Sequence, residues 1–332
     1  MHLTNQTPAT LAIIGYGAIA DYHALALAKL GANLVAVAGP NRDSAIAFAK
    51  RHAIPSVFED LESAVQSTKF DGVVIASPST VHADQAVAAL KAGKSVLCEI
   101  PIGISLAQAE EVNQVALQSG LVAMVCHTQR FWPPVRALRT LLADRGLDPR
   151  HVVARSTMLR RENVGWTGRR RTWVDNLLWH HGCHVIDTTL LLIEQEIEFV
   201  SAVSGPLVPE TGLPLDIAIA IKGGRGLGNI SLSYNSTVTT NDYVVITDDE
   251  AFVIEDAKLV GQDGRILAGG DPEEMLQLAV TSQAAEFLRA IATGERPSTC
   301  VDCILPTMRV LQTIDDLCHA QESAIRREDI RP

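Results

Sequence analysis

The sequence predicts an α/β protein, with an N-terminal doubly wound parallel sheet followed by an α+β domain on a mostly antiparallel open sheet. Three observations carry this. From residue 10 to 126, short apolar runs rich in Val and Ile alternate with helical patterns, as expected of strands buried on both faces of a parallel sheet. After His127, strand runs instead gather around one or two helices, the pattern of a sheet covered on one face. A chain of 332 residues, at roughly 150 per domain, is long enough for two cores. The expected domains are 1–126 and 127–332, with the C-terminal helices able to pack back on the first.

The first domain reads in order as strands Leu11–Gly15, Asn33–Ala38, Gly72–Ala76, Ser95–Cys98 and Val122–Cys126. Helices Ala18–Leu30, Arg42–His52, Val81–Ala92 and Leu106–Ser119 stand between them. Such strand–helix repetition winds right-handed. The second domain opens with a helix at Val135–Arg145 and a strand near His151–Met158, then an arginine-rich loop to Arg171 and a helix across Trp173–Leu192. Strands follow at Phe199–Ser204, Leu215–Lys222, Gly228–Asn235, Tyr243–Thr247 and Ala251–Glu255, and helical periodicity returns over Pro272–Ile291 and Ile304–Ala324. There is no repeat and no Pro/Ser-rich linker, so the domains are expected to join directly.

Composition narrows the function classes. At 47% hydrophobic and 20% charged residues, the chain is too apolar and its charge too dilute for disorder. A net charge of −10 with no long Lys/Arg block argues against a protein held on nucleic acid by phosphate neutralisation. No run of about 18 apolar residues offers a membrane span, and MHLTNQTPAT lacks the basic start of a signal peptide. Six scattered cysteines, at 98, 126, 183, 300, 303 and 318, read as reduced cytoplasmic thiols, with Cys300 and Cys303 as two thiols within a helix.

The segment from Leu11 to Ala20 is a strand, a glycine turn and a helix start. Gly15 permits the tight turn, Gly17 lets the backbone approach a pyrophosphate, and Ala20 keeps helix and strand close. The helix start at Ala18 and Ile19 then offers N–H groups and a partial positive charge to phosphate. This points to a Rossmann dinucleotide site. At the end of the second strand, where an NAD site usually carries Asp or Glu, stands Gly39, followed by Asn41 and Arg42. With no carboxylate before Asp43 to repel a 2′-phosphate, NADP is expected over NAD. Ser77, Pro78 and His82 follow the third strand, and Glu99 and Ile100 the fourth, at the carboxyl ends where ligands bind.

In the second domain the densest constellation is Trp173 to Asp187, with His180, His181 and His184. On an α-helix His180 and His184 share one face, and imidazole can accept a hydroxyl proton near neutrality. A structural role and a metal-binding role are the alternatives, the latter short of ligands. Arginine concentrates as Arg155, Arg160, Arg161, Arg169, Arg170 and Arg171 against one acid, Glu162. Guanidinium forks grip carboxylates, so an anionic small-molecule substrate is expected, with Arg130 beyond the last parallel strand able to join.

Together these residues resemble the glucose–fructose oxidoreductase / inositol dehydrogenase / rhizopine catabolism (Gfo/Idh/MocA) family over nearly the whole chain. The marks are Gly15-x-Gly17-x-x-Ala20, Ser77-Pro78-x-x-x-His82, Glu99-x-Pro101, Arg130-Phe131 and Gly182-x-His184-x-x-Asp187. Two departures stand out. The family's Glu-Lys-Pro reads Glu99-Ile100-Pro101, and His180 replaces an Asp four residues before His184. These, with the Met124–Phe131, Leu159–Asn163, Trp173–His181, Gly205–Glu210 and Ser231–Asn235 segments, are similar to one branch. Its members oxidise the cyclic hemiacetal of 4-carboxy-2-hydroxymuconate semialdehyde to 2-pyrone-4,6-dicarboxylate with NADP+, in protocatechuate 4,5-cleavage.

The resemblance implies a CH–OH dehydrogenase with no metal. His180 and His184 would be catalytic, and His127, Arg130, Arg160, Arg161, Asn163 and His181 would bind substrate. The cofactor would meet Gly15, Gly17, Ala18, Ile19, Ala20, Asn41, Arg42, Ser77, Pro78, His82, Glu99 and Ile100. A homodimer or higher homo-oligomer is implied, through the open face of the second-domain sheet. A dehydrogenase of a sugar, inositol or other cyclic polyol is the alternative, and a non-catalytic NADP-binding sensor or co-repressor a further one.

Overall fold

The computed structural model describes residues 8–164, 172–173, 176–193, 196–224 and 226–328. The chain divides into two compact units. One holds the residues up to His127 together with Val280–Leu305, and the other holds Thr128–Ala279 and the residues from Pro306 on.

In the first unit, β1 (Thr10–Ile14), β2 (Asn33–Ala38), β3 (Ser56–Phe58), β4 (Gly72–Ile75), β5 (Ser95–Cys98) and β6 (Ala123–Val125) form one sheet. Its order is β3-β2-β1-β4-β5-β6 and every pairing is parallel. The connecting helices are α1 (Ala18–Lys29), α2 (Arg42–Arg51), α3 (Leu61–Ser67), α4 (His82–Lys91) and α5 (Leu106–Ser119). Leu11–Ile14, Val73–Ile75 and Val96–Cys98 are all buried, which is why these strands read as unbroken apolar runs. The order reverses between β1 and β4, the switch point where ligands of such sheets bind.

The second unit begins with α6 (Pro133–Arg145) and β7 (His151–Leu159) and continues to α7 (Cys183–Ile193), β8 (Ile197–Ser204), β9 (Leu207–Val208) and β10 (Leu213–Pro214). Then come β11 (Asp216–Gly223), β12 (Gly226–Ser233), β13 (Asn235–Ile246), β14 (Ala251–Glu255), β15 (Lys258–Gly261) and β16 (Ile266–Gly269). Two long helices end the chain, α8 (Pro272–Thr293) and α9 (Val301–Glu328). The main sheet runs β16-β15-β14-β13-β7-β12-β11-β8. All pairs are antiparallel except β7 with β12. Strand alternation fixes the faces: Ile217, Ile219, Ile221, Ile230 and Leu232 are buried, while Phe199, Val203 and Leu227 are exposed. On the covered face α7 comes so close to β12 that a Cβ on Gly228 would lie 2.8 Å from the Thr189 methyl.

Three details depart from the expected layout. The long helix expected across Trp173–Leu192 is instead a π turn at Leu178–Gly182 leading into α7. There the Gly182 N–H donates to the Leu177 carbonyl five residues back at 2.9 Å. The strands β3, β15 and β16, and helix α3, escaped the pattern because three- to seven-residue elements show too few turns of a period. Finally, Cys300 and Cys303 form a disulfide, with Cα atoms 5.1 Å apart, where two helical thiols were expected. Cys300 precedes the first residue of α9, so the pair straddles the helix start and the two sulfurs can meet. The other four cysteines are buried and take no part in a disulfide.

Candidate active site

The candidate cofactor site of the first unit is built from backbone. β1 runs out at Gly15, whose φ of +104° is in the region glycine favours. A Cβ there would lie 2.3 Å from the Ala76 carbonyl oxygen and 2.8 Å from the Ser77 nitrogen. The Gly15 N–H donates to the Ala38 carbonyl at 2.8 Å, which draws the ends of β1, β2 and β4 together. Gly17 is the N-cap of α1, no side chain caps the helix, and a Cβ on Gly17 would meet nothing within 4 Å. An uncapped helix start facing open space is what a pyrophosphate needs. The residues Gly15, Gly17, Ala18, Ile19 and Ala20 therefore fit a dinucleotide.

The carboxyl ends of β4 and β5 are tied together. His82 is buried and reaches two backbone carbonyls, Nδ1 to Pro101 and Nε2 to Ser77, both at 2.8 Å. It latches the Ser77–Pro78 loop to the Ile100–Pro101 peptide, which is cis. Ser77 Oγ donates to Gln85 at 2.6 Å. Glu99 accepts from the Ile100 N–H at 3.3 Å and pairs with the buried His23 ring at 2.7 Å. His23 was missed in the sequence, although it lies on the buried stripe of α1 with Ala20, Ala24 and Leu27. A histidine on an apolar stripe was the available signal. Burial pushes the Cys98 and Cys126 thiols well up, with the charge of Glu99 adding to it. His127, also buried, closes this unit.

Among the described residues, two groups bring ligating atoms together, His23–Glu99–Cys126 and Cys300–Asp302–Cys303. In the first, His23 Nε2 already bonds Glu99, and in the second the sulfurs are joined to each other.

The candidate site of the second unit is built from side chains. β7 and β12 run parallel with Thr157 opposite Ser233, so the residues just beyond them, Arg160 and Tyr234, arrive together. The Arg160 N–H donates to the Tyr234 carbonyl at 2.8 Å, and the guanidinium lies 5.4 Å from the Tyr234 ring centre. Arg160 Nη2 donates to Asn163 Oδ1 at 2.6 Å, and Asn163 Nδ2 in turn donates to the Thr172 carbonyl. The Tyr234 hydroxyl bonds His181 Nδ1 at 2.5 Å, the two rings meet edge-on, and His180 packs on His181 with centroids 4.5 Å apart. Trp173 approaches Tyr234 from 6.2 Å. Tyr234 is thus the hub. In the sequence it lies within the Ser231–Asn235 segment, with nothing to mark it as a site residue.

Several expected members stand elsewhere. His180 belongs to the π turn and His184 to α7, so the simple one-face spacing of an unbroken helix does not describe them. Arg130, expected to reach substrate, forks onto the buried Asp187 at 2.7 and 2.6 Å, and Thr307 donates to the same carboxylate. Burial disfavours the Arg130 charge, but Asp187 more than offsets it and its pKa is raised. Arg155 pairs with Asp242 on the sheet. Arg161 is exposed, while Arg169, Arg170, Arg171 and Asp175 lie outside the described residues.

Comparison with known proteins settles the family. The family described as "Oxidoreductase family, NAD-binding Rossmann fold" matches residues 9–127, and "Bacterial oxidoreductases, C-terminal" matches residues 133–268. The chain belongs to the Gfo/Idh/MocA oxidoreductases. It is an NAD(P)-dependent dehydrogenase of that family, acting on a CH–OH group. The chain is 29% identical over 313 residues to 4-carboxy-2-hydroxymuconate-6-semialdehyde dehydrogenase of a Sphingobium species, covering 92% of this chain and 97% of that one. It is 35% identical over 129 residues to a scyllo-inositol 2-dehydrogenase (NADP(+)) of Bacillus subtilis, but that match covers 39% of each chain. Among solved structures, a dehydrogenase from Chromobacterium violaceum aligns with a TM-score of 0.85 at 17% identity, covering 98% of this chain and 100% of that one. Lactobacillus casei scyllo-inositol dehydrogenase with NAD(H) and scyllo-inositol aligns at 0.78 and 20% identity, covering 95% and 98%. These two show the fold. No helix among the described residues is long and apolar enough to cross a membrane.

Proposed function

We propose that this Gfo/Idh/MocA dehydrogenase oxidises a carboxylated cyclic hemiacetal, that of 4-carboxy-2-hydroxymuconate semialdehyde, to the lactone 2-pyrone-4,6-dicarboxylate, using NADP+ in aromatic catabolism. The observation that carries the reading is the Arg160–Asn163–Tyr234–His181 cluster, cationic and hydrogen-bonding together. It occurs in a chain similar over nearly its full length to an enzyme named for that semialdehyde.

The chemistry follows from the residues. Oxidation removes the hydroxyl proton and the hydrogen on the carbinol carbon, leaving a carbonyl. A nicotinamide dinucleotide held at the Gly15–Ala20 turn would supply the hydride acceptor. His180 or His184 takes the proton, since Ile100 stands where the family commonly has lysine. A hemiacetal hydroxyl is more acidic than that of a simple alcohol, so imidazole suffices. His181 is held by Tyr234 and orients its neighbour His180. Arg160 and Arg161 bind the substrate carboxylates, with Asn163 fixing the Arg160 fork. Arg130 acts one step back, by neutralising Asp187 beneath the π turn's helix. The partner is a second copy of the chain, through the open sheet face that exposes Phe199, Val203 and Leu227.

The test mixes purified protein with NADP+ or NAD+ and the enzymatically generated semialdehyde, following the absorbance of reduced cofactor. Turnover of the semialdehyde and its loss in the His180→Asn, His184→Asn double variant are expected. Activity on neutral polyols such as scyllo-inositol, and none on the semialdehyde, would overturn the reading.

A further inference from the structure

The carboxyl end of β2 decides which ribose a Rossmann sheet accepts, because the residue there faces the adenosine 2′ position. In this chain the space above that point is already filled. Tyr16, inside the glycine turn, lies over Gly39, so that a Cβ on Gly39 would stand 2.4 Å from the Tyr16 Cε1 and 3.2 Å from Cδ1 and Cζ. The ring is also anchored at its far end. Its hydroxyl accepts the Asn41 N–H at 2.8 Å, and Asn41 caps α2 by accepting from the Ser44 N–H at 2.9 Å. One aromatic side chain therefore links the turn after β1 to the start of α2. Arg42, the first residue of that helix, is exposed, and no ion pair is found for it among the described residues.

We infer that Tyr16 is a specificity-determining residue, which makes the adenosine end of the site select a 2′-phosphorylated dinucleotide. It acts in two ways. By filling the room above Gly39 it keeps the site free of the carboxylate that would bind a 2′-hydroxyl and repel a 2′-phosphate. By anchoring Asn41 it fixes the backbone that carries Arg42, whose guanidinium is suited to a phosphate. The proposal rests on the NADP+ reading above and adds the residue that enforces it. If the ring merely packed on a glycine, its loss would lower stability and leave the preference between cofactors untouched.

The two outcomes separate by calorimetric titration of the purified protein with NADP+, NAD+, adenosine 2′,5′-bisphosphate and 5′-AMP, with melting temperature recorded for each variant. The native chain is expected to favour NADP+ over NAD+, and the bisphosphate over 5′-AMP, by at least about tenfold. Tyr16→Phe keeps the ring over Gly39 but removes the hydroxyl that holds Asn41, so it should lose part of that ratio. Tyr16→Leu should cut it by about fivefold or more. In the Tyr16→Leu, Gly39→Asp double variant, NAD+ should become the tighter ligand, whereas Gly39→Asp alone meets the ring and should weaken both. Should Tyr16→Leu fold poorly, Gly39→Ala reads the same contact from the other side, since its methyl must push the ring away. A native preference for NADP+ that survives both Tyr16→Leu and Gly39→Ala overturns the role of Tyr16 and leaves the NADP+ reading standing. A native preference for NAD+ overturns both.

Discussion

The glycine turn at Gly15–Ala20 and the cluster around Tyr234 are made by opposite means. The turn is local: one strand end, two glycines and a helix start, with the recognition groups supplied by backbone. The cluster joins Arg160, Asn163, Trp173, His181 and Tyr234, and the bond between His181 and Tyr234 spans 53 positions of chain. The shape of the turn therefore rests on Gly15 carrying no Cβ, while the cluster depends on a strand register set by β7 and β12. Failure should follow suit, as backbone strain in one region and lost partnering in the other.

The largest effect is expected at Gly15→Val. Its Cβ would stand 2.3 Å from a carbonyl oxygen at a φ that valine rarely adopts, so stability should fall by about 3 kcal/mol or more, with cofactor binding lost. Urea unfolding and titration with NADP+ read both. A variant with native stability would show that the turn can open, and would end the contrast. Next comes Arg130→Leu, which strands Asp187 in the core of the second unit. A loss of about 3–5 kcal/mol is expected, again by urea unfolding, and a loss below about 1 kcal/mol would return Arg130 to the candidate substrate ligands.

Tyr234→Phe keeps the ring and removes only the hydroxyl bonded to His181. The expected cost is about tenfold in kcat/KM, or ~1.4 kcal/mol, with the melting temperature nearly unchanged. A matching fall in melting temperature would make Tyr234 a packing residue. The smallest effect belongs to neither region. Asp60 caps α3, and the Ser63 N–H followed by the Ser63 hydroxyl holds its carboxyl below the usual 3.8. The native value is depressed, so the contribution is present above the unfolded value and vanishes as pH falls through the native one. Asp60→Asn should therefore be less stable than the parent at neutral pH and match it at the acid end of a pH series.

This contrast also explains how much the sequence could disclose. The strands Asn33–Ala38, Ser95–Cys98 and Ala251–Glu255 are found at the expected bounds, because burial on one or both faces prints directly onto apolar order. The glycine turn was legible for the same local reason. Tyr234 was not, since its importance comes from lying beside Arg160 across a parallel pairing of two distant strands, and no spacing along the chain encodes that. Arg130 shows a related limit. An arginine after a strand looks the same whether its partner is a substrate or an aspartate 57 residues on. The π turn likewise leaves no periodic trace, although it changes what a four-residue histidine spacing means.

The placement of residues 280–305 bears on the order in which the molecule is made. These residues complete the first unit: the Thr299 carbonyl accepts from the Val125 N–H at 2.9 Å, and Met124 bridges to Cys300 at the edge strand. The cofactor unit starts first on the ribosome yet lacks its last pieces until about the three-hundredth residue has emerged, after the second unit's whole sheet. During synthesis β6 must therefore wait with an unpaired edge, a state that invites association with other chains. The two units are thus interleaved along the chain, and the unit that begins the protein cannot be finished until most of the second has been made.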